Sequence, residues 1–181
     1  MKFTICSSSN DSIDDKYKIS AKNLLDYIIT IPGAQLNWGS CSISIMGLCY
    51  DIFRKANLPV HGYTTSKYVD DINNLPEADH KIFDTTYDLK KNILYDGDVI
   101  IMLAGGTGTI SEFFGHLEEI RSNDANKLLI VWNEDNSFDS TLDLIKDLVD
   151  RKFNNDSIYN YFKVANNIQE FKNILKEKGL L

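Results

Sequence analysis

Short apolar runs alternate with longer amphipathic stretches along this chain. The clearest run, Val99-Ile100-Ile101-Met102-Leu103, contains no polar residue. Such a run is typical of a strand that is covered on both faces, as in a parallel sheet between layers of helices. On this pattern we predict six strands, at residues 2–6, 35–38, 60–63, 99–103, 127–132 and 161–164.

Amphipathic stretches fill most of the intervals between these strands. The first predicted helix opens at Ser12 or a nearby aspartate and places apolar residues on one face at helical spacing: Tyr17, Ala21, Leu24, Leu25 and Ile28. Thr85 and Asp88 have the spacing of a capping box, which predicts a short helix that ends before Gly97. Further helices are predicted at residues 45–56, 139–150 and 167–178, and one that ends near Asn123. The polar stretch 64–83 shows no clear period and is predicted to be a long loop over the strand ends, bordering the ligand.

This alternation predicts a Rossmann-like, doubly wound and mostly parallel sheet flanked by helices. A length of 181 residues fits a single domain, 1–181, with a sizeable core. In such sheets ligands bind outside the carboxyl ends of the strands, where the strand order reverses. Polar turns follow Cys6, Trp38 and Leu103 at predicted strand ends, and we expect these three turns to form one shared site.

Composition and charge exclude several kinds of partner. A net charge of −7 with three arginines argues against nucleic-acid binding through a basic face. No apolar stretch approaches the ~20 residues that span a bilayer, so we expect no membrane segment. The cysteines Cys6, Cys41 and Cys49 are odd in number and lack metal-type spacing. Because the chain begins without a signal peptide, we expect them to be reduced thiols of a cytoplasmic protein.

The turn that follows the run 99–103 has the features of an anion-binding site. It contains three glycines and two threonines and leads directly into a helix. Glycine adopts backbone conformations closed to other residues and lets a ligand approach closely. The first amides of the helix have no internal partner and lie at the positive end of the helix dipole, an arrangement that favours a phosphate. Glu112 lies just over one turn into this helix and adds a carboxylate at the same mouth.

Simpler interpretations of the same residues are also open. The glycines alone are compatible with a tight strand-to-helix turn, Glu112 with a partner of the helix dipole, and His116 with a structural histidine. Met46 and Gly47 are compatible with helix packing. A dinucleotide fingerprint is not supported, because Ser111 stands where its last glycine would be. Since no P-loop motif or zinc spacing occurs either, we expect neither a bound cofactor nor a metal.

Three segments of this chain resemble motifs of one family. Residues 105–112, Gly-Gly-Thr-Gly-Thr-Ile-Ser-Glu, are similar to a Pro-Gly-Gly-x-Gly-Thr-x-x-Glu signature in which the proline is Ala104 here. Residues 6–9 resemble a Cys-Gly-Ser-Ser loop, and residues 38–47 resemble Tyr-Gly-Gly-Gly-Ser-Val-Gly-Leu-Met-Gly in register. These motifs belong to the LONELY GUY (LOG) family of cytokinin-activating phosphoribohydrolases, long misannotated as lysine decarboxylases.

The resemblance implies hydrolysis of the N-glycosidic bond of a nucleoside 5′-monophosphate to free base and ribose 5-phosphate. Glu112 would stabilise the cationic sugar or activate the attacking water. The residues that would hold the 5′-phosphate are Gly105, Gly106, Thr107, Gly108 and Thr109. The residues that would line the nucleotide are Ser8, Ser9 and the segment 39–47, including Gly39 and Met46. The family forms homodimers, so we expect a homodimer here.

One departure from the family concerns its catalytic arginine. Aligned without a gap, the Glu-Arg-Lys triplet of the family falls on residues 88–90, so that Leu89 takes the place of the arginine. A family methionine four residues later becomes Ile93, and this wall of the pocket is therefore predicted to be apolar. Lys90 or Lys91 is a candidate substitute, although lysine lacks the planar fork of arginine.

Two functions therefore remain open at this point. The retained Glu112 favours a nucleotide N-glycosidase, whereas Leu89 favours a nucleotide- or cofactor-binding protein of the same fold that has lost hydrolysis. The molybdenum-cofactor carrier proteins, which are related in fold, are an example of the second use. A purely structural domain fits less well, because three turns of the kind that bind ligands converge.

Overall fold

The computed structural model describes residues 1–123 and 125–181. The strands in these ranges are β1 (Lys2–Cys6), β2 (Gln35–Trp38), β3 (Val60–Thr65), β4 (Asp79–Phe83), β5 (Val99–Met102), β6 (Leu128–Trp132) and β7 (Lys163–Ala165). All of them pair in parallel in one sheet of order β4-β3-β2-β1-β5-β6-β7. The chain builds outward from β1 to β4 and then returns to the other side of β1. The strand order therefore reverses between β1 and β5, which is where this kind of sheet binds ligands.

The helices alternate with the strands as predicted. The α-helices in the described ranges are α1 (Asp15–Ile28), α2 (Ser44–Lys55), α3 (Thr86–Asp96), α4 (Thr107–Asn123), α5 (Asp139–Asp150) and α6 (Ile168–Glu177). Thr85 caps α3 as predicted, because its Oγ1 accepts a hydrogen bond from the amide of Asp88 at 3.1 Å. The cap of α1 is Asp14, one of the aspartates near Ser12 that the prediction included.

Apolar layers cover both faces of the sheet. The layer that contains Phe3 and Ile5 packs against α1, α2 and α6, and the layer that contains Met102 packs against α3, α4 and α5. All four residues of β5 are fully buried, as expected for an interior strand of a doubly covered sheet. The switch point therefore lies beside a fully buried strand.

The prediction of a long loop at residues 64–83 is wrong. This segment contains the end of β3, a 3₁₀ helix at Ser66–Asn74 and the edge strand β4. An edge strand is paired on one side only, and all five residues of β4 are exposed or half-buried. Its sequence, Asp-His-Lys-Ile-Phe, therefore lacks the apolar run that marks a central strand. The apolar run at residues 99–103 is consequently the fifth strand of the chain and not the fourth.

Other strand bounds differ from the prediction by only a few residues. β3 extends to Thr65, β6 begins at Leu128, and β7 covers residues 163–165 rather than 161–164. In the ranges that the structure describes, we found no helix with the length and apolar character needed to cross a bilayer.

Candidate active site

Hydrogen bonds join the three turns that the sequence predicted to converge. The amide of Ser8 donates to the carbonyl of Ala104 at 2.9 Å, which ties the loop after β1 to the turn after β5. The amide of Met46 donates to the carbonyl of Ser8 at 3.2 Å, and the hydroxyl of Ser44 donates to the carbonyl of Asn10 at 2.8 Å. The start of α2 is thereby held against the same loop. These contacts confirm that the three turns meet at the carboxyl ends of β1, β2 and β5.

A cavity of about 550 Å³ opens at this meeting point. The predicted site residues that line it are Ser8, Ser9, Gly39, Met46, Gly105, Gly106, Thr107, Gly108, Thr109 and Glu112. Gly47 does not line the cavity. A Cβ at this glycine would lie 2.2 Å from the carbonyl oxygen of Ser42. Close packing at the start of α2 therefore explains Gly47, as one of the simpler interpretations had it. The segment 64–83 does not border the cavity either.

The glycines of the β5–α4 turn leave space rather than providing unusual backbone angles. None of Gly105, Gly106 and Gly108 has a positive φ, in contrast to our expectation. A Cβ at Gly105 would lie 2.1 Å from Oγ1 of Thr109, so this position requires glycine for close approach. A Cβ at Gly106 or Gly108 would have no neighbour within 4 Å. These two glycines therefore leave open space at the start of α4, on the wall of the cavity.

The unusual backbone conformations lie instead in the turn after β2. Ser40 and Ser44 have φ values of 49° and 57°, which cost free energy in residues other than glycine. The hydroxyl of Ser40 lies 3.0 Å from Nδ1 of His80 on β4, and Nε2 of His80 lies 3.0 Å from the carbonyl oxygen of Leu75. A Cβ at Gly62 would lie 2.2 Å from Oγ of Ser40. The strained turn is thus fixed from β3 and β4, although neither strand borders the cavity.

Glu112 lies on the cavity wall and is partly accessible from it. Its pKa is raised above the usual 4.5 because the surrounding protein removes the carboxylate from water. A hydrogen bond from the thiol of Cys6 and the positive charge of Lys90 both oppose this increase in pKa. A carboxylate with a raised pKa is a better proton acceptor than an ordinary glutamate, which suits a general base.

Lys90 lies beside Glu112 without lining the cavity. Its Nζ donates a hydrogen bond to the hydroxyl of Ser111 at 2.8 Å, across the contact between α3 and α4. The charge of Lys90 lowers the pKa of Glu112, of Cys6 and of His116. The amine therefore supplies positive charge at this side of the cavity, where the family resemblance predicted an arginine.

The wall formed by α3 is apolar, as predicted. Ile93 is buried and lines the cavity. Leu89, one turn earlier on α3, is half-buried but does not line the cavity. The residue in place of the family arginine is therefore set back from the space that a ligand would occupy.

Two buried hydroxyls that line the cavity, those of Ser7 and Ser137, lack a hydrogen-bond partner. The hydroxyl of Ser7 lies close enough to the thiol of Cys49 to oppose the rise in the pKa of the thiol that burial causes, but no hydrogen bond of standard geometry joins the two. Buried polar groups in folded proteins nearly always have partners. Unpartnered hydroxyls in the wall of a cavity are therefore consistent with a polar ligand.

Sequence reasoning missed part of the cavity lining. Ile13 and Tyr17 line the cavity from the start of α1, whereas Tyr17 was assigned only to the apolar face of that helix. Ser137 reaches the cavity from the loop after β6. Because β6 pairs with β5, the rule that parallel strands gather their carboxyl ends at one edge was sufficient to include this loop. The residues that the structure describes contain no cluster of three or more His, Cys, Asp or Glu arranged to hold a metal ion.

Comparisons with known proteins agree with this architecture. Residues 46–175 match a family model described as possible lysine decarboxylase, and no curated protein matches the chain. The molybdenum cofactor binding protein from Rippkaea orientalis is 16% identical, with a TM-score of 0.66 over 98% of this chain and 96% of that chain. The molybdenum cofactor carrier protein from Chlamydomonas reinhardtii is 15% identical, with a TM-score of 0.63 over 99% of this chain and 96% of that chain. DNA processing protein A from Streptococcus pneumoniae is 9% identical, with a TM-score of 0.60 over 95% of this chain and 60% of that chain. These likenesses show a shared fold.

Proposed function

This chain belongs to the possible lysine decarboxylase family, the LOG family of the sequence motifs, and we propose that it hydrolyses the N-glycosidic bond of a nucleoside 5′-monophosphate. The products are the free base and ribose 5-phosphate. The observation that carries this proposal is that the carboxylate of Glu112 and the open β5–α4 turn line the same cavity. A hydrolase of this kind needs an anion site and a carboxylate close together.

The phosphate of the substrate binds at the start of α4. The first amides of this helix have no intrahelical partners, and the helix dipole places partial positive charge there. The open space in front of Gly106 and Gly108 supports a close approach of phosphate oxygens to these amides. The hydroxyl of Thr107, which is exposed to the cavity, donates a further hydrogen bond.

Glu112 acts on the sugar. As the bond between base and ribose breaks, positive charge develops on the sugar, and a nearby carboxylate stabilises it. The raised pKa of Glu112 also suits it to take a proton from the attacking water. Lys90 favours the ionised form of Glu112, because its positive charge opposes the increase in the pKa that burial causes.

A second candidate function is binding without hydrolysis. It is favoured by Leu89, which has neither the charge nor the hydrogen-bond donors of the family arginine. The two similar structures named for binding or carrying the molybdenum cofactor support the same alternative. On this account, the β5–α4 turn and the hydroxyls of Ser7 and Ser137 hold a phosphorylated small molecule, which the protein releases unchanged.

One assay separates the two functions. The protein is incubated with a panel of purine and pyrimidine 5′-monophosphates, and free base is measured by chromatography. We expect base release that falls by about 100-fold in Glu112→Gln. The matched control is Glu118→Gln, an exposed glutamate on the same helix, which leaves the rate unchanged. A nucleotide that raises the melting temperature without any base release supports the carrier and contradicts the hydrolase.

The proposal includes a homodimer, as the family resemblance implies. Tyr87 and Tyr95 on α3 are 69% and 40% exposed, and each offers aromatic surface for a partner to cover. Sedimentation equilibrium at micromolar concentration is expected to give twice the chain mass of 20.6 kDa. A monomer under these conditions contradicts this part of the proposal.

A further inference from the structure

A buried pair, Cys6 and His116, lies next to Glu112, and Cys6 lines the same cavity. Cys6 is the last residue of β1, and His116 lies one turn after Glu112 on α4. Both side chains are almost fully buried, and Sγ of Cys6 lies 3.9 Å from Nε2 of His116. Cys6 and Glu112 line the same cavity, and the thiol lies close enough to the carboxylate to lower its pKa. The three groups therefore form a continuous chain from the interior of the protein to the cavity wall.

Elementary chemistry determines which group donates and which accepts in this series of three side chains. An ionised carboxylate only accepts hydrogen bonds, so the single proton of the Cys6 thiol is donated to Glu112. The sulfur is then left as an acceptor, and Nε2 of His116 must carry the hydrogen that points at it. A hydrogen at Nδ1 instead would leave two acceptors, Nε2 and the carboxylate, competing for one thiol proton.

The protonation states of the pair agree with this direction. Burial, together with the charge of Lys90, lowers the pKa of His116 to about 4, so the imidazole is neutral at physiological pH. Burial and the charge of Glu112 raise the pKa of the Cys6 thiol well above its usual range, so the thiol keeps its proton. The groups that act on Glu112 are thus Cys6 from β1, Lys90 from α3 and, through Cys6, His116 on its own helix.

We infer that Cys6 and His116 are positioning residues, which hold the carboxylate of Glu112 toward the cavity through a hydrogen-bond chain from Nε2 of His116 to the thiol to the carboxylate. This inference rests on the proposed role of Glu112. The thiol stabilises the ionised form of Glu112 and fixes its orientation, and His116 fixes the thiol.

The first test is the tautomer of His116 in the intact protein. The chain contains three histidines, so the imidazole nitrogens are resolved by ¹⁵N NMR, and His116→Gln assigns the signals of His116. We expect Nε2 to carry the hydrogen at pH 7. A hydrogen on Nδ1 with a bare Nε2 overturns the proposed direction of the chain.

The second test is the titration of Glu112 itself, followed by ¹³C NMR in protein labelled at glutamate and assigned with Glu112→Gln. In Cys6→Ala the donor to the carboxylate is lost, so the midpoint of this titration shifts to higher pH. In Cys6→Ser the hydroxyl replaces the thiol as donor, and the midpoint stays close to that of the wild type. Cys49→Ala, which removes another buried thiol, is the matched control and leaves the midpoint unchanged.

An equal shift in Cys6→Ala and Cys6→Ser, or no shift in either, overturns the inference. His116→Gln keeps an N–H donor and is expected to give a smaller shift than His116→Leu.

These readouts do not depend on turnover and are therefore separable from the proposed function. If base is released, kcat falls by about 10-fold in Cys6→Ala with a smaller change in KM. If the titration shifts as expected while no nucleotide releases base, the positioning role stands and the hydrolase proposal fails.

Discussion

Nζ of Lys90 lies 2.8 Å from the hydroxyl of Ser111, the residue that precedes Glu112 in α4. This hydrogen bond places a cation beside the carboxylate, although Leu89 occupies the position of the family arginine. The cation belongs to the next residue of α3, Lys90, which does not line the cavity. It therefore influences Glu112 through its charge, and the open space of the site is left to the ligand.

Removal of this charge is expected to weaken catalysis. In Lys90→Met the pKa of Glu112 rises, because the charge that lowers it is lost. The acid limb of the pH profile of base release then moves to higher pH, and kcat on that limb falls by up to about 10-fold. Lys91→Met, at the next and more exposed position, is the control and keeps the wild-type profile. Identical profiles for the two variants would remove Lys90 from the mechanism.

Glu112 is expected to reduce the stability of the protein at neutral pH. Its pKa is raised in the folded state by burial, so the unfolded chain loses this proton at lower pH than the folded chain. The free energy of unfolding therefore falls as the pH rises from about 4.5 to the folded-state pKa, and stays low above it. Glu112→Gln abolishes this dependence and is more stable than the wild type at pH 7, as is common for residues retained for function.

The control for this stability measurement is Glu118→Gln. The pKa of Glu118 is lowered, mainly by its hydrogen bond with Arg121, so this substitution does not stabilise the protein. Urea denaturation of both variants at pH 5 and pH 7 measures the difference. A Glu112→Gln protein that is less stable than the wild type at pH 7 would indicate that the carboxylate serves packing rather than function.

The open face of the β5–α4 turn gives a prediction about ligand affinity. A methyl group at Gly106 meets no protein atom within 4 Å, so Gly106→Ala folds normally, with a free energy of unfolding within about 0.5 kcal/mol of the wild type. The added methyl group occupies space that the anion needs, and we expect at least ~10-fold weaker binding of a 5′-mononucleotide by calorimetry. Gly115→Ala, also open but outside the cavity, keeps the affinity and stabilises α4 by up to ~1 kcal/mol. Equal affinities in the two variants would place the anion elsewhere.

The strained turn after β2 gives a prediction about stability. Ser40→Ala keeps the positive φ but loses the hydrogen bond to His80, at a cost of about 1 kcal/mol. Ser40→Gly loses the same bond but removes a backbone strain of about 1 kcal/mol, so its stability stays near that of the wild type. Denaturant unfolding compares the two. If both variants lose the same stability, the backbone of Ser40 carries no strain.

The sequence pattern was sufficient for the buried strands and failed at the edge of the sheet. β1 and β2 have the bounds predicted for them, because buried apolar residues, Phe3 and Ile5 in β1 and Leu36 and Trp38 in β2, lead up to a polar turn in each case. β4 pairs with β3 alone and exposes most of its residues, so its sequence resembles that of a polar loop. His80 shows the consequence, since a residue assigned to a loop in fact fixes Ser40 from a strand.

The site could be predicted to the extent that its residues follow strands in the chain. Gly105–Thr109 and Ser8 directly follow β5 and β1, and the topology of a parallel sheet brings such turns together. Tyr17 reaches the cavity from a helix whose periodicity predicts only a core position. The backbone φ values of the glycines in the β5–α4 turn were not predictable. Glycine occurs both where φ is positive and where a Cβ would have no room. The pairing of Cys6 with His116 depends on how α4 packs against β1, which no local pattern encodes.

The central claim is that a nucleotide phosphate binds at the start of α4 within reach of Glu112. The most direct measurement is a crystal structure of Glu112→Gln, which slows turnover, in complex with a 5′-mononucleotide. We predict phosphate oxygens within hydrogen-bond distance of the amides of residues 107–109, and the side chain of residue 112 facing the bond between sugar and base. A nucleotide whose phosphate lies away from this turn, or whose sugar lies beyond the reach of residue 112, would contradict the account.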